Sequence, residues 1–424
     1  MTEPDGTAIL LCKWHPTLLE ELLARTPDVY VVLDDFDVEH MHPDQVLLDK
    51  TRGVYRVSSF DSIEELSSIA VDLTIHHVIV GKIVSHTEFS QYGAGLLELL
   101  LHGGEDPLKF TAYRDKRLMK ARVRAAGVPT ARSCSLAGPD DLTAAHRAMA
   151  TLRFPVVVKP ASGFGTMSTL KVERPEDLLD TLTGYTFEPL LRSRQLIIEE
   201  FITGDEVCVD ALWSGGEALS FVVHSYYRPR IGLTAESLHE DSGLNGSRVL
   251  TESDHPELYR ELRQLHNRIN QGLRIKDGAT HLEVFVQQDG TIVFSEIATR
   301  VGGAWVPRML SAYLGREVWA AIAEAAVTGD GVPARPRRPY VGGVNISPLQ
   351  PGLITAMPDE AELASHPGVL DWQVIRGLGS RVSLTHPSEW CLFLVLGADS
   401  AQEYEELRRE ATERFFIETH EGEQ

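Results

Sequence analysis

A chain of 424 residues is too long for one ordinary hydrophobic core and should divide into roughly two to four folding units. Its 43% hydrophobic and 24% charged residues are those of a soluble globular protein, and no apolar run approaches the roughly 20 residues that cross a bilayer, so no membrane partner is expected. With 61 acidic against 40 basic residues the formal net charge is −21, which argues against a nucleic-acid partner and requires any polyanionic ligand to be met by local lysine, arginine and metal ions.

The first apolar run, residues 8–14 (AILLCKW), follows acidic residues rather than the basic opening of a secretory signal, so a cytoplasmic protein is expected. Runs at 8–14, 29–34 and 78–83 read as buried strands separated by helical stretches. They predict a small parallel α/β domain over residues 1–108. No glycine-rich turn follows the first strand, so a dinucleotide-binding reading has no support. His76 and His77, just before the third run, are expected to pack rather than to ligate. Cys12, Cys134, Cys208 and Cys391 lie far apart with no CxxC spacing, the pattern of reduced thiols rather than of disulfides or a zinc site.

From residue 113 the text changes to YRDKRLMKARVRAAGVPT, which predicts a helix with Asp115 near its start and Gly127 as its stop. A helix near 139–152, strands at 155–160 and 169–173 around a Gly/Ser loop, a helix at 175–183 and a strand at 195–202 make a compact α+β unit. Strands recur at 206–213, 217–225, 281–287 and 291–297, the last two joined by a turn at 288–290. The polar stretch 228–250 has the length of a lid or binding loop. A Pro/Arg-rich segment, 331–339, is expected to be a hinge before a final α+β domain, 340–424. The fold class expected is therefore α/β and α+β multidomain.

Three segments carry the chemistry. In FPVVVKPASGFGTMS a buried strand ends in Lys159, and Ser162, Gly163, Gly165 and Thr166 follow in a loop whose N–H groups could close over phosphate oxygens. Taken alone it is equally an ordinary hairpin loop with a surface lysine. In QLIIEEFITGDEVCVD a hydrophobic strand runs into Glu199 and Glu200, then Phe201 and Ile202, and continues past Glu206. Carboxylates there could accept ribose hydroxyls, or be solvated turn charges. The third segment, HLEVFVQQDGTIVFSEIATRVGGAW, predicts a hairpin in which Glu283 and Glu296 stand almost opposite one another. Two facing carboxylates repel unless a hard divalent cation joins them, and magnesium is the expected ion, with manganese the alternative. Arg300, four residues beyond Glu296, is placed to hold charge on a transferred phosphoryl group. Arg228 and Arg230 are candidate anchors for a substrate carboxylate, with pairing to surface acids the competing account. Gly302 and Gly303 would let a substrate approach the backbone, Trp305 would wall the pocket or sit in the core, and His281 is expected to be a buried, satisfied histidine.

In this order the segments resemble the ATP-grasp superfamily, and FSEIATRVGGAW most resembles its L-amino acid (dipeptide) ligase branch. The resemblance implies an N-terminal (pre-ATP-grasp) domain, an ATP-grasp core over 109–330 with a mobile lid at about 125–205, a C-terminal domain, and a homodimer. It implies that Lys116 and Lys159 contact ATP phosphates and that 162–166 cover them. It also implies that 199–202 meet adenine through their backbone and that Glu206 accepts the ribose. Glu283 and Glu296 would hold magnesium, and Arg300 would stabilise an acyl phosphate. Many ATP-grasp enzymes carry an asparagine metal ligand two residues after the second glutamate; Ala298 stands there, which puts one ion's position in doubt. The expected activity joins a small-molecule carboxylate, an amino acid, to an amine at the expense of ATP. The alternatives are a ligase for non-amino-acid or purine-precursor substrates, or a non-catalytic nucleotide-binding module.

Overall fold

The computed structural model describes residues 7–104, 106–232, 245–331, 338–384 and 389–420. The first unit is a parallel sheet of β1 (Ala8–Cys12), β2 (Val29–Asp34), β3 (Gly53–Val57) and β4 (Val80–Ser85), in the order β3-β2-β1-β4. Its helices are α1 (Pro16–Leu23), the short α2 (Gln45–Leu48), α3 (Ile63–Ile75) and α4 (Glu88–His102). Every residue of β1 is buried, as a parallel strand covered on both faces requires. His15 starts α1 by accepting the Leu18 N–H, with Pro16 in the first turn, and Thr87 starts α4 by accepting the Phe89 N–H. Because β1 lies between β2 and β4, the strand order reverses beside it. The crevice at such a reversal, outside the carboxyl ends of the strands, is where open α/β sheets take ligands.

Next comes α5 (Lys116–Ala125), capped by the Asp115 carboxylate. A small antiparallel sheet follows, of β5 (Ser133–Leu136), β6 (Val156–Pro160), β7 (Leu170–Val172) and β8 (Leu196–Glu200), in the order β5-β8-β6-β7. With α6 (Leu142–Thr151) and α7 (Leu178–Thr183) it encloses its own core, which includes Ala145, Val158, Leu178 and Ile198.

The central sheet has eight strands: β9 (Asp205–Ser214), β10 (Glu217–Tyr226), β11 (Gly246–Val249), β12 (Gly278–Val286), β13 (Ile292–Ala298), β14 (Tyr340–Ile346), β16 (Val369–Val374) and β18 (Leu392–Ala398). Their order is β13-β12-β9-β10-β11-β14-β18-β16. One core joins this sheet to α5 and α8 (Pro256–Leu273). Another joins it to α9 (Val306–Leu314), α10 (Val318–Thr328) and, through Leu18, Leu19 and Leu22, to α1. A three-stranded sheet of β15 (Gly352–Ala356), β17 (Arg381–Val382) and β19 (Glu418–His420), with α11 (Glu360–Ala364) and α12 (Ala401–Arg414), completes the chain.

The 331–339 segment does not part the molecule as a hinge between independent sheets would. Residues 332–337 lie outside the described residues, but beyond them β14 pairs with β11 and extends the core's own sheet. Gly343 is glycine for a packing reason: a Cβ there would lie 2.3 Å from the Trp305 ring. Among the described residues no helix is long and apolar enough to cross a membrane.

Candidate active site

The N-terminal unit, the small sheet and the central sheet converge on one cavity of about 730 Å³. Three ammonium groups reach it. Lys159 ends β6, while Lys116 and Lys120 share one face of α5 at the four-residue spacing of a helix. The Lys159 Nζ lies 3.1 Å from one oxygen of Glu199, and the Lys120 Nζ 3.2 Å from the other. Lys116 pairs with Glu296 at 3.1 Å and donates to the Gly163 carbonyl at 2.6 Å. Burial pushes the Lys120 ammonium down, against the pull of Glu199, to about 8. Burial also weighs on Lys159, but Glu199 and Glu296 override it and raise its pKa. The result is a positive wall held in place by two carboxylates, suited to a polyphosphate despite the acidic chain. Sequence reasoning missed Lys120, although its spacing from Lys116 was the available signal. It also gave Glu199 only a strand-end role, whereas the side chain is the counter-charge for both lysines.

Three carboxylates, Glu206, Glu283 and Glu296, also line the cavity. Glu283 and Glu296, which the hairpin arithmetic put almost opposite, are direct partners across the β12–β13 pair, brought there by a one-residue slip just after Glu283. Glu206 lines the cavity from the neighbouring β9 and accepts the Arg230 N–H at 2.9 Å. Burial, and then the charge of Glu283, push the Glu206 carboxyl up to about 7, the behaviour of an acid set among anions. Burial raises the Glu296 carboxyl too, but Lys116 and Lys159 outweigh it and hold it near about 2. An oxygen-donor group with excess negative charge fits a hard divalent cation. Glu283 and Glu296 would hold magnesium there, with no third ligand from Ala298.

Arg300 projects into the cavity from beyond β13 and is gripped by Glu88 at the start of α4. The Arg300 Nε donates to one Glu88 oxygen at 2.6 Å, an Nη donates to the other, and the second Nη donates to the Val301 carbonyl at 2.6 Å. Burial alone would raise the Glu88 carboxyl, but Arg300 overrides it and holds it at about 2, against an ordinary 4.5. The stabilisation this pair contributes is therefore complete above about pH 4.5 and is lost as the pH falls toward 2. Acid unfolding followed by circular dichroism is expected to show a Glu88→Gln variant that is less stable at neutral pH and less pH-dependent over that interval. Equal slopes in the two proteins would remove the pair from the account. Nothing in the sequence pointed to Glu88, which lies 212 positions from its partner.

Behind this surface Asp210 organises a buried network. One oxygen meets His224 at 2.9 Å and His281 at 3.0 Å; the other accepts the Gly302 N–H at 2.7 Å. The far nitrogen of His281 lies 3.4 Å from Glu283, and despite burial Asp210 raises the His281 pKa. Gly302 and Gly303 both line the cavity, and Gly302 is also fitted to this network, since a Cβ would lie 2.8 Å from the His281 ring, whereas Gly303 has open space there.

The remaining expectations divide. Gly163, Gly165, Thr166, Phe201, Ile202, Arg230 and Trp305 line the cavity. Trp305 is also core, 2% exposed, and donates its indole N–H to Ser247. Ser162 is not in the lining: its hydroxyl lies 3.1 Å from that of Tyr92, on the N-terminal domain. Glu200 lines the cavity, and its carboxylate accepts the Arg153 N–H and pairs with Arg132 and Arg153. Arg228 is exposed and outside the lining, because it follows β10 where the chain leaves the sheet. Residues 233–244 of the expected lid loop lie outside the described residues.

A family model described as the ATP-grasp domain matches residues 152–308. The chain is 27% identical over 315 residues to an L-arginine-specific L-amino acid ligase from Bacillus subtilis, covering 73% of each chain. It is 26% identical over 224 residues to a D-alanine–D-alanine ligase from Aquifex aeolicus, covering 52% of this chain and 71% of that one. Among solved structures, an L-amino acid ligase from Bacillus licheniformis shares the fold with a TM-score of 0.74 at 17% identity, over 98% of this chain and 100% of that one. A phosphoribosylglycinamide synthetase from Anaerococcus prevotii does so with a TM-score of 0.66 at 14% identity, over the same shares. Residues 152–308 are thus similar to an ATP-grasp domain, and the chain is similar in sequence to ligases that act on amino acids. Its likeness in sequence extends to an L-amino acid ligase, and its fold is shared with another.

Proposed function

We propose that this protein joins the carboxylate of an amino acid to an amine through an acyl phosphate, forming an amide and releasing ADP and phosphate. The observation that carries the reading is the convergence of Lys116, Lys159, Glu283, Glu296 and Arg300 on one cavity. Lys159, Lys120 and Lys116 would hold the ATP phosphates, and 163–166 would lie over them. Magnesium at Glu283 and Glu296 would neutralise charge on the phosphates. The substrate carboxylate oxygen attacks the γ-phosphorus, and the bond from that phosphorus to the bridging oxygen breaks to release ADP. The amine then attacks the acyl carbon, loses a proton, and expels phosphate. Arg300 is positioned to balance the negative charge that grows in both steps, and no side chain has to act as a nucleophile.

The test is ADP release from ATP and magnesium across pooled amino acids, with mass spectrometry of the products. A new mass equal to acid plus amine minus water supports the reading. ADP release that no pool stimulates, from protein that binds ATP, would turn it toward a non-catalytic nucleotide-binding module. Chelation with EDTA is expected to lower ADP release at least about a hundredfold, with recovery on adding magnesium. Activity that survives chelation would remove the metal from Glu283 and Glu296.

A further inference from the structure

Two groups of rings line the cavity. His15 and His86 follow β1 and β4, so they stand at the carboxyl ends of the two strands where the sheet order reverses. The His15 ring lies 4.9 Å from His86 and 4.1 Å from Trp319 of α10, centroid to centroid. Trp390, which also lines the cavity, packs at 5.5 Å on Phe393, and that ring meets Trp305 at 5.9 Å.

These rings carry no charge. The His15 Nδ1 accepts the Leu18 N–H, which a protonated ring could not do, and burial holds its pKa at about 4. Burial and the neighbouring His15 lower His86 well below the ordinary value. The charged side chains two positions from His15 and His86 in the chain are already paired: Lys13 with Asp34 and Asp37, and Glu88 with Arg300. A guanidinium, ammonium or carboxylate brought against these rings would leave water and meet, in Lys13 and Glu88, groups whose charge is already balanced. Attraction of a cation to ring faces recovers less than that loss. An apolar ring or branched chain loses nothing comparable, and gains edge-to-face contacts.

We propose that His15, His86, Trp319 and Trp390 form the side-chain pocket of an amino acid substrate, selecting aromatic or large aliphatic side chains and rejecting charged ones. Among the described residues the buried His86 Nδ1 and Trp390 Nε1 have no hydrogen-bond partner, so the pocket also accommodates one neutral polar group such as a phenol. The inference rests on the ligase reading for the identity of the ligand. It sets this chain apart from the Bacillus subtilis relative, which is named for arginine specificity.

Calorimetric titration of the full chain with magnesium and ADP present, using L-phenylalanine, L-leucine, L-arginine and L-glutamate, separates the outcomes. Phenylalanine and leucine are expected to bind at least about tenfold more tightly than arginine and glutamate. Trp319→Ala should weaken phenylalanine binding at least about tenfold and leave ADP affinity unchanged, which also reports that the variant is folded. His15→Asp keeps a helix cap while adding a carboxylate, and should raise arginine affinity. Arginine or glutamate binding as tightly as phenylalanine, or no amino acid binding at all, would overturn the pocket. Phenylalanine that binds but supports no ADP release with any amine would instead overturn the ligase reading and leave the pocket standing.

Discussion

Arg300→Ala is expected to lower substrate-stimulated ADP release by about a hundredfold to a thousandfold, because a fixed guanidinium aimed at developing negative charge stabilises that charge more than solvent can. The same substitution leaves Glu88 poorly compensated in a site that is largely closed to water, with Arg114 the remaining cation near it. A folding loss of about 3 kcal/mol should follow, the usual scale for removing one partner of a buried pair. The two effects can be separated. A double Arg300→Ala, Glu88→Gln protein should recover most of the stability in urea unfolding and none of the rate. Arg300→Lys should keep the charge yet lose the two-pronged grip on Glu88, and fall between. A double variant that recovers activity would show that Arg300 serves only to neutralise Glu88.

The second large effect is expected at Asp210, which touches no proposed substrate. Asp210→Ala would leave His281 without its counter-charge and the buried Gly302 N–H without an acceptor. About 3 to 5 kcal/mol of stability should be lost, measured by urea unfolding. His281 would then answer to Glu283 alone, 3.4 Å away, and compete with a cation for that carboxylate. The magnesium concentration giving half-maximal ADP release should rise as a result. Unchanged stability would mean that the network relaxes around water, and an unchanged magnesium requirement would separate His281 from the metal carboxylates.

What the sequence made legible followed from local geometry. The near opposition of Glu283 and Glu296 was legible because a tight turn at 288–290 sets the register of the strands beside it; that register alone comes one residue short, and the slip just after Glu283 brings the two carboxylates directly opposite. The lysine at the end of β6 was visible as a charge closing an apolar run. Lys120 was visible in principle, through helical spacing. Glu88, Asp210, His15 and Trp319 were not, because each matters through a partner that only tertiary packing brings near. The final domain was read as a separate α+β unit, and the place of β14 in the central sheet was hidden, since a strand's sequence does not name its neighbour. Arg228 and Ser162 were drawn into the expected site by proximity in sequence alone, and one residue's difference along a loop is enough to turn a side chain away.

The insertion of β14 beside β11 also bears on how the molecule is made. On the ribosome, β11 and the strands before it emerge well ahead of β14, so the half-built sheet presents a bare edge of unpaired N–H and C=O groups to the surroundings. That edge is sealed only when Val341 and its neighbours arrive. A ribosome-stalled or C-terminally truncated chain ending before Tyr340 is therefore the form most prone to pair with a second copy of itself, which makes late translation, rather than the finished fold, the vulnerable stage in producing this protein.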